Sequence, residues 1–263
     1  MAFLEVNYYS NTLGMERAMN VILPETTDRH PEWTNLNDLP VLYLLHGMSN
    51  NHTSWQRKTR IERLARDLKL AIVMPSTDLG WYTNTTYGLN YFEALALELP
   101  QKVRDLFPQV SKKREKNFVA GLSMGGYGAW KLALGTENFS HAASLSGALY
   151  MEEQGMSDMA SQDYWQGVFG ELRELPGSKN DLLRLAQDKV NEGKKLPELY
   201  AWCGKQDFLF EANEYATTEI QKMGYDLTYE TADGAHEWYY WDKMIERVLE
   251  WLPIDYKMEE RLS

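Results

Sequence analysis

The chain has 263 residues, 44% of them hydrophobic and 25% charged, with 27 Lys and Arg against 38 Asp and Glu for a formal net charge of −11. Such proportions belong to a folded chain, and the length suits one or two domains with a sizeable core. The acidic balance excludes a general nucleic-acid binder and a binder of anionic membranes, both of which need basic surface.

The single cysteine, Cys203, excludes an internal disulfide. No stretch approaches the ~18 apolar residues of a membrane span, and the N-terminus has neither the basic start nor the apolar run of a signal peptide. The expectation is a cytoplasmic protein. Aromatic residues are abundant, with 9 Trp, 16 Tyr and 8 Phe; they leave room for an apolar pocket and for a homo-oligomer contact.

Residues 3–9 and 17–23 read as two strands joined by the turn Asn11-Thr12-Leu13-Gly14, an antiparallel edge. Residues 26–39 are polar, hold Pro31 and read as a loop. Val41–Leu45 is a continuous apolar run, the pattern of a strand buried on both faces of a parallel sheet. A helix over 61–68, a strand over 70–74, and a long helix over 91–107, kinked or broken at Pro100, follow.

Residues 118–121 form a strand running into a glycine, 125–134 a helix, and 142–145 a strand. Residues 152–191 are polar and helical in pattern, with Pro176-Gly177 inside. They lack a core of their own and read as a cap-like insertion over the sheet edge. Strands over 199–203 and 227–229 alternate with helices over 211–223 and 238–251. This alternation implies an α/β fold, a mostly parallel sheet with helices on both faces.

The pentapeptide Gly121-Leu122-Ser123-Met124-Gly125 matches G-x-S-x-G between an expected strand and an expected helix. The serine of such a turn takes a strained backbone conformation, so its neighbours two residues away must be small. The turn exposes the Ser123 hydroxyl at the carboxyl end of the sheet and aims the Met124 N–H at the same point. His46-Gly47-Met48-Ser49 follows the buried strand and should supply a second N–H to an oxyanion hole. Met48 is the first choice for it and Ser49 the alternative, with His46 bracing the loop.

Serine needs an imidazole to take its proton, and the chain order of this fold is Ser, then Asp or Glu, then His. Of the five histidines, His141 and His236 follow Ser123; His141 opens a strand, at the wrong end of the sheet. His236 lies in a glycine-containing loop before the last helix. Asp207, in the loop after the strand over 199–203, is the natural acid, with Asp226 and Asp233 as competitors. Cys203 reads as a core residue rather than a nucleophile. No H-E-x-x-H, thiolate cluster or phosphate-binding glycine motif occurs, so neither metal nor cofactor is expected.

The chain resembles the esterase D-like α/β-hydrolases, and within them the tributyrin esterases of lactic acid bacteria and streptococci. Matching segments include Leu44-Leu45-His46-Gly47-Met48-Ser49, Trp81-Tyr82-Thr83-Asn84, Tyr87-Gly88-Leu89-Asn90-Tyr91, Ala120-Gly121-Leu122-Ser123-Met124-Gly125-Gly126-Tyr127-Gly128, Phe139-Ser140-His141-Ala142-Ala143, Cys203-Gly204, Asp207-Phe208-Leu209 and His236-Glu237-Trp238. The resemblance covers nearly the whole chain. It implies an α/β-hydrolase fold and a carboxylesterase for short acyl chains, with its triad on Ser123, Asp207 and His236.

Trp81, Tyr82, Tyr87, Trp165 and Phe208 are candidates to line the substrate pocket. The expected partner is a small-molecule ester. Feruloyl and acetylxylan esterases and S-formylglutathione hydrolases are relatives, so those substrates stay open, as do acyl transfer to other acceptors and a non-catalytic binding module.

Overall fold

The apolar runs become the strands of one sheet. In the computed structural model, which describes residues 1–256, the strands are β1 (Ala2–Ser10), β2 (Met15–Leu23), β3 (Val41–Leu45), β4 (Ala71–Pro75), β5 (Asn117–Leu122), β6 (His141–Leu145), β7 (Glu198–Gly204) and β8 (Leu227–Ala232). They form an eight-stranded sheet in the order β1-β2-β4-β3-β5-β6-β7-β8. The β1–β2 and β2–β4 pairs are antiparallel, and every pair from β4 to β8 is parallel. This is the α/β-hydrolase arrangement, with the expected antiparallel edge.

β3 is buried along its whole length because helices cover both faces. Val41, Tyr43 and Leu45 enter one core cluster, and Leu42 and Leu44 enter the other, the period of two that a pleated strand imposes. The short helices α1 (Ser54–Lys58) and α2 (Ile61–Ala65) supply Trp55, Ile61 and Leu64 to the second cluster. α1 was not foreseen, and α2 is shorter than the expected 61–68.

On the other face, α3 (Tyr91–Glu93) and α4 (Leu99–Leu106) are joined by a π-helical segment, Ala94–Glu98. Pro100 sits in the first turn of α4, where its missing N–H costs least. The expected break therefore takes the form of a widened turn just before the proline. α5 (Met124–Gly135) lies against β5 and β6.

Residues 152–191 contain α6 (Glu153–Ser157), α7 (Gln162–Phe169) and α8 (Leu182–Asn191). They do not lie over the sheet edge. α8 packs on α5 and on α9 (Phe210–Lys222), because its apolar residues Leu182 and Ala186 join the same cluster as those helices. The last helix, α10 (Trp238–Trp251), covers the opposite face.

Candidate active site

Because β3 to β8 run in parallel, the loops after β3, β4, β5, β6, β7 and β8 all emerge at one rim. Among them is the turn after β5, which carries Ser123. Ser123 adopts φ 53° and ψ −121°, a region that disfavours residues with a Cβ. It is held there by bonds on both sides. Its N–H donates to the Leu145 carbonyl at 2.9 Å, and its own carbonyl accepts from the Gly126 and Tyr127 amides at 2.9 and 3.1 Å. Gly125 lets α5 approach β3: a Cβ there would lie 2.5 Å from the Leu45 carbonyl oxygen and 2.6 Å from that of His46.

The imidazole and carboxylate expected from the sequence converge on this serine. His236 Nε2 lies 3.0 Å from Ser123 Oγ, and its Nδ1 lies 2.9 and 3.1 Å from the two Asp207 oxygens. A carboxylate only accepts, so Nδ1 carries the proton and Nε2 presents a lone pair to the serine hydroxyl. Asp207 is buried, and its Oδ1 also accepts from the Leu209 N–H at 2.9 Å. Phe208 lies against the His236 ring, with centroids 4.6 Å apart, and Trp241 meets the same ring edge-on at 4.9 Å.

The competitors fall elsewhere. Asp233 Oδ1 faces the Gln206 amide, and Asp226 precedes β8 at the far end of the sheet, where its carbonyl accepts from the Leu199 N–H. His141 opens β6 at that same far end, buried, with Nε2 3.3 Å from Glu198. Cys203 is fully buried, and burial pushes its thiol above the ordinary range.

The loop after β3 is fixed by its carbonyls. Leu45 O accepts from the Trp55 indole at 2.8 Å and His46 O from the Tyr82 hydroxyl at 2.8 Å. Gly47 O faces His46 Nδ1 at 2.7 Å, and Met48 O accepts from the Asn50 side chain at 2.9 Å. His46 Nε2 accepts from the Thr77 N–H at 3.0 Å, which places its proton on Nδ1. Burial holds this imidazole neutral, its pKa lowered to about 4. His46 thus braces the loop, as expected.

Gly47 lies directly against the nucleophile turn. A Cβ there would be 2.6 Å from Leu122 Cδ1 and 3.4 Å from Ser123 Cβ. Met48 follows in the chain. Met124 heads α5, where a helix leaves its first amides without an intrahelical acceptor.

A cavity of about 620 Å³ adjoins the triad through Ala148, Phe208 and Leu209, with Trp81, Tyr150, Met151 and Met156 among its other walls. Of the five aromatic residues expected at a pocket, Trp81 and Phe208 line it and three do not. Tyr82 is fully buried; its hydroxyl is spent on His46 O, and its ring fills the notch left by Gly128. Trp165 is buried behind Trp81, at 5.1 Å between centroids, with its indole donating to Met156 O. Tyr87 is exposed, anchored through its amide to Gly167 O.

Comparison with known proteins bears on this geometry. The Esterase family model matches residues 10–252. The chain belongs to that family. An acetyl esterase of Caldicellulosiruptor saccharolyticus is 33% identical over 262 residues, covering 96% of this chain and 98% of the relative. The fluorophosphonate-binding serine hydrolase F of Staphylococcus aureus, solved with substrate bound, is 37% identical with a TM-score of 0.86, covering 95% of this chain and 98% of that one. An S-formylglutathione hydrolase of the same species, solved as apoenzyme, is 37% identical with a TM-score of 0.84 over the same shares. As a member of this family the chain is a carboxylic ester hydrolase.

Sequence reasoning missed Tyr150, Met151, Met156, Met159 and Tyr215 as cavity walls. Tyr215 comes from α9, and the others come from within or just before an insertion whose placement no local motif announces. It also missed that Trp81 and Tyr82 both take positive φ, 50° and 51°, which sends their side chains inward.

Proposed function

We propose that the chain is a serine carboxylesterase that cleaves short-chain acyl esters through an acyl-enzyme. The observation that carries this reading is the contact between Ser123 Oγ and His236 Nε2 at 3.0 Å, with Asp207 on the far ring nitrogen. Ser123 attacks the ester carbonyl while His236 takes its proton, and Asp207 steadies the imidazolium. The Met48 and Met124 amides hold the oxyanion. His236 returns the proton to the leaving alcohol, and water then hydrolyses the acyl-enzyme by the same route.

The acetyl esterase relative supports a short acyl group, which leaves the 620 Å³ cavity for the larger half of the ester. The test is a p-nitrophenyl ester series by chain length, run with Ser123→Ala and with a fluorophosphonate label read by mass spectrometry. Activity highest on acetyl to butyryl esters, with activity and adduct both lost in the variant, is expected. Wild-type activity in Ser123→Ala overturns the assignment.

A further inference from the structure

The walls of the 620 Å³ cavity carry charge of one sign. Two carboxylates, Glu152 and Glu211, line it, and none of the described residues lining it is cationic. Four aromatic side chains share the same cavity: Trp81, Tyr150, Phe208 and Tyr215. The Tyr150 and Tyr215 rings lie 4.5 Å apart at 56° and converge on one wall. Burial, and after it the charge of Glu152, holds the Tyr150 phenol above its ordinary range, so the carboxylate is felt at that wall. Aromatic faces attract cations, and quaternary ammonium groups most characteristically, while neighbouring carboxylates add a screened Coulomb attraction.

We infer that this cavity selects esters by charge, favouring those whose larger half bears an alkylammonium group and rejecting those that bear a carboxylate. Glu152 and Glu211 are the determinants of charge, and Tyr150 and Tyr215 supply the aromatic wall. The inference rests on the esterase reading. It also disfavours glutathione thioesters as substrates of this chain, since they carry two carboxylates and one ammonium.

Two substrate series test it, one with the charge on the leaving group and one with the charge on the acyl group. The first compares acetylthiocholine, its uncharged 3,3-dimethylbutyl isostere and S-acetyl-3-mercaptopropionate. The second compares p-nitrophenyl esters of 4-(trimethylammonio)butyrate, 5,5-dimethylhexanoate and succinate. In at least one series kcat/KM should be about tenfold higher for the cation than for its neutral isostere and lower again for the anion, the scale of partly screened charges.

The ratio should fall toward unity in Glu152→Gln/Glu211→Gln and shrink in 1 M salt. Calorimetric titration with tetraethylammonium reads the cavity without turnover, and binding should weaken in the same variant and in Tyr150→Leu. No charge preference in either series, or one that survives the double substitution, overturns the inference. Absent turnover of p-nitrophenyl acetate together with absent labelling of Ser123 would instead defeat the esterase reading, and the tetraethylammonium titration would still decide the cavity's preference.

Discussion

Replacing Gly125 by alanine tests whether the close approach of α5 to β3 sets the catalytic geometry. The new Cβ would meet Leu45 O at 2.5 Å, His46 O at 2.6 Å and Leu45 C at 2.8 Å. All three are backbone atoms, and two are already held, Leu45 O by the Trp55 indole and His46 O by the buried Tyr82 hydroxyl. They cannot rotate away as a side-chain tip would, so helix and strand must part by roughly half an ångström to an ångström to restore ordinary contact. Overpacking of this kind costs about 1–3 kcal/mol, and a displacement of about 1 Å at reacting groups costs about 100-fold in rate. Both amides proposed to hold the oxyanion would move with it, because Met124 heads α5 and Met48 follows the pinned carbonyls. Gly125→Ala should therefore lower kcat/KM on p-nitrophenyl acetate about 100-fold, or about 2.7 kcal/mol, and lower Tm by roughly 3–10 °C. Gly167→Ala is the control, since its Cβ would meet only Tyr87 Cδ1 at 3.5 Å, an ordinary contact, and it lies inside α7 away from the cavity, where alanine favours the helix. A Gly125→Ala protein with kcat/KM within twofold of wild type and an unchanged Tm would refute the reasoning.

Asp207→Asn should keep the fold and reduce kcat by about a thousandfold or more, since the amide can hold the wrong His236 tautomer; esterase kinetics beside circular dichroism check this. Burial lowers the His46 pKa from its ordinary 6.5 to about 4 in the folded chain, so between those values only the unfolded chain holds the proton. The stability this contributes above pH 6.5 is lost as pH falls toward 4, by about 3 kcal/mol, and urea midpoints of His46→Gln should lack that part of the slope. Lys131 is fully buried, its amine held well below the ordinary range by burial and then by Lys179. The unfolded chain again binds the extra proton, so wild-type stability should gain on Lys131→Met as pH rises from 7 toward 10, by at most about 1.4 kcal/mol per unit, which thermal melts across that range would show.

What was legible in the sequence was local. Ser123, His46 and Gly47 sit in short motifs whose steric needs are written in adjacent residues, and β3 is a run that only double burial explains. His236 and Asp207 were reachable because parallel strands return every following loop to one rim. The failures share a different cause. Tyr82 looked like a pocket residue because its loop does reach the rim, yet positive φ at Trp81 and Tyr82 turns its ring onto Gly128 and the His46 carbonyl. No propensity argument assigns that conformation to two adjacent aromatic residues. The insertion was misplaced for a similar reason, since an apolar helix stripe states that it is buried without stating against what.

The contacts of that insertion decide how the cavity works. Lys131 Nζ, on α5, donates to Thr83 Oγ1 and Asn180 Oδ1, both at 2.6 Å, and the Tyr127 hydroxyl donates to Asn180 O at 2.9 Å. Farther out, the Trp81 indole donates to the Tyr164 hydroxyl, which donates to Leu79 O, each at 2.9 Å, and Thr86 Oγ1 donates to Gly167 O at 2.7 Å. Helix, aromatic loop and insertion are thus joined by polar groups, several of them buried, and each buried bond broken without replacement would cost about 1–3 kcal/mol. Opening the insertion as a lid would break several at once, together with the packing of Trp165 on Trp81. These contacts hold the insertion in place as a wall of the cavity in this structure. Selectivity then falls to the side chains that line the cavity: Glu152, Met156 and Met159 from the insertion, Tyr150 just before it, and Glu211 and Tyr215 from α9.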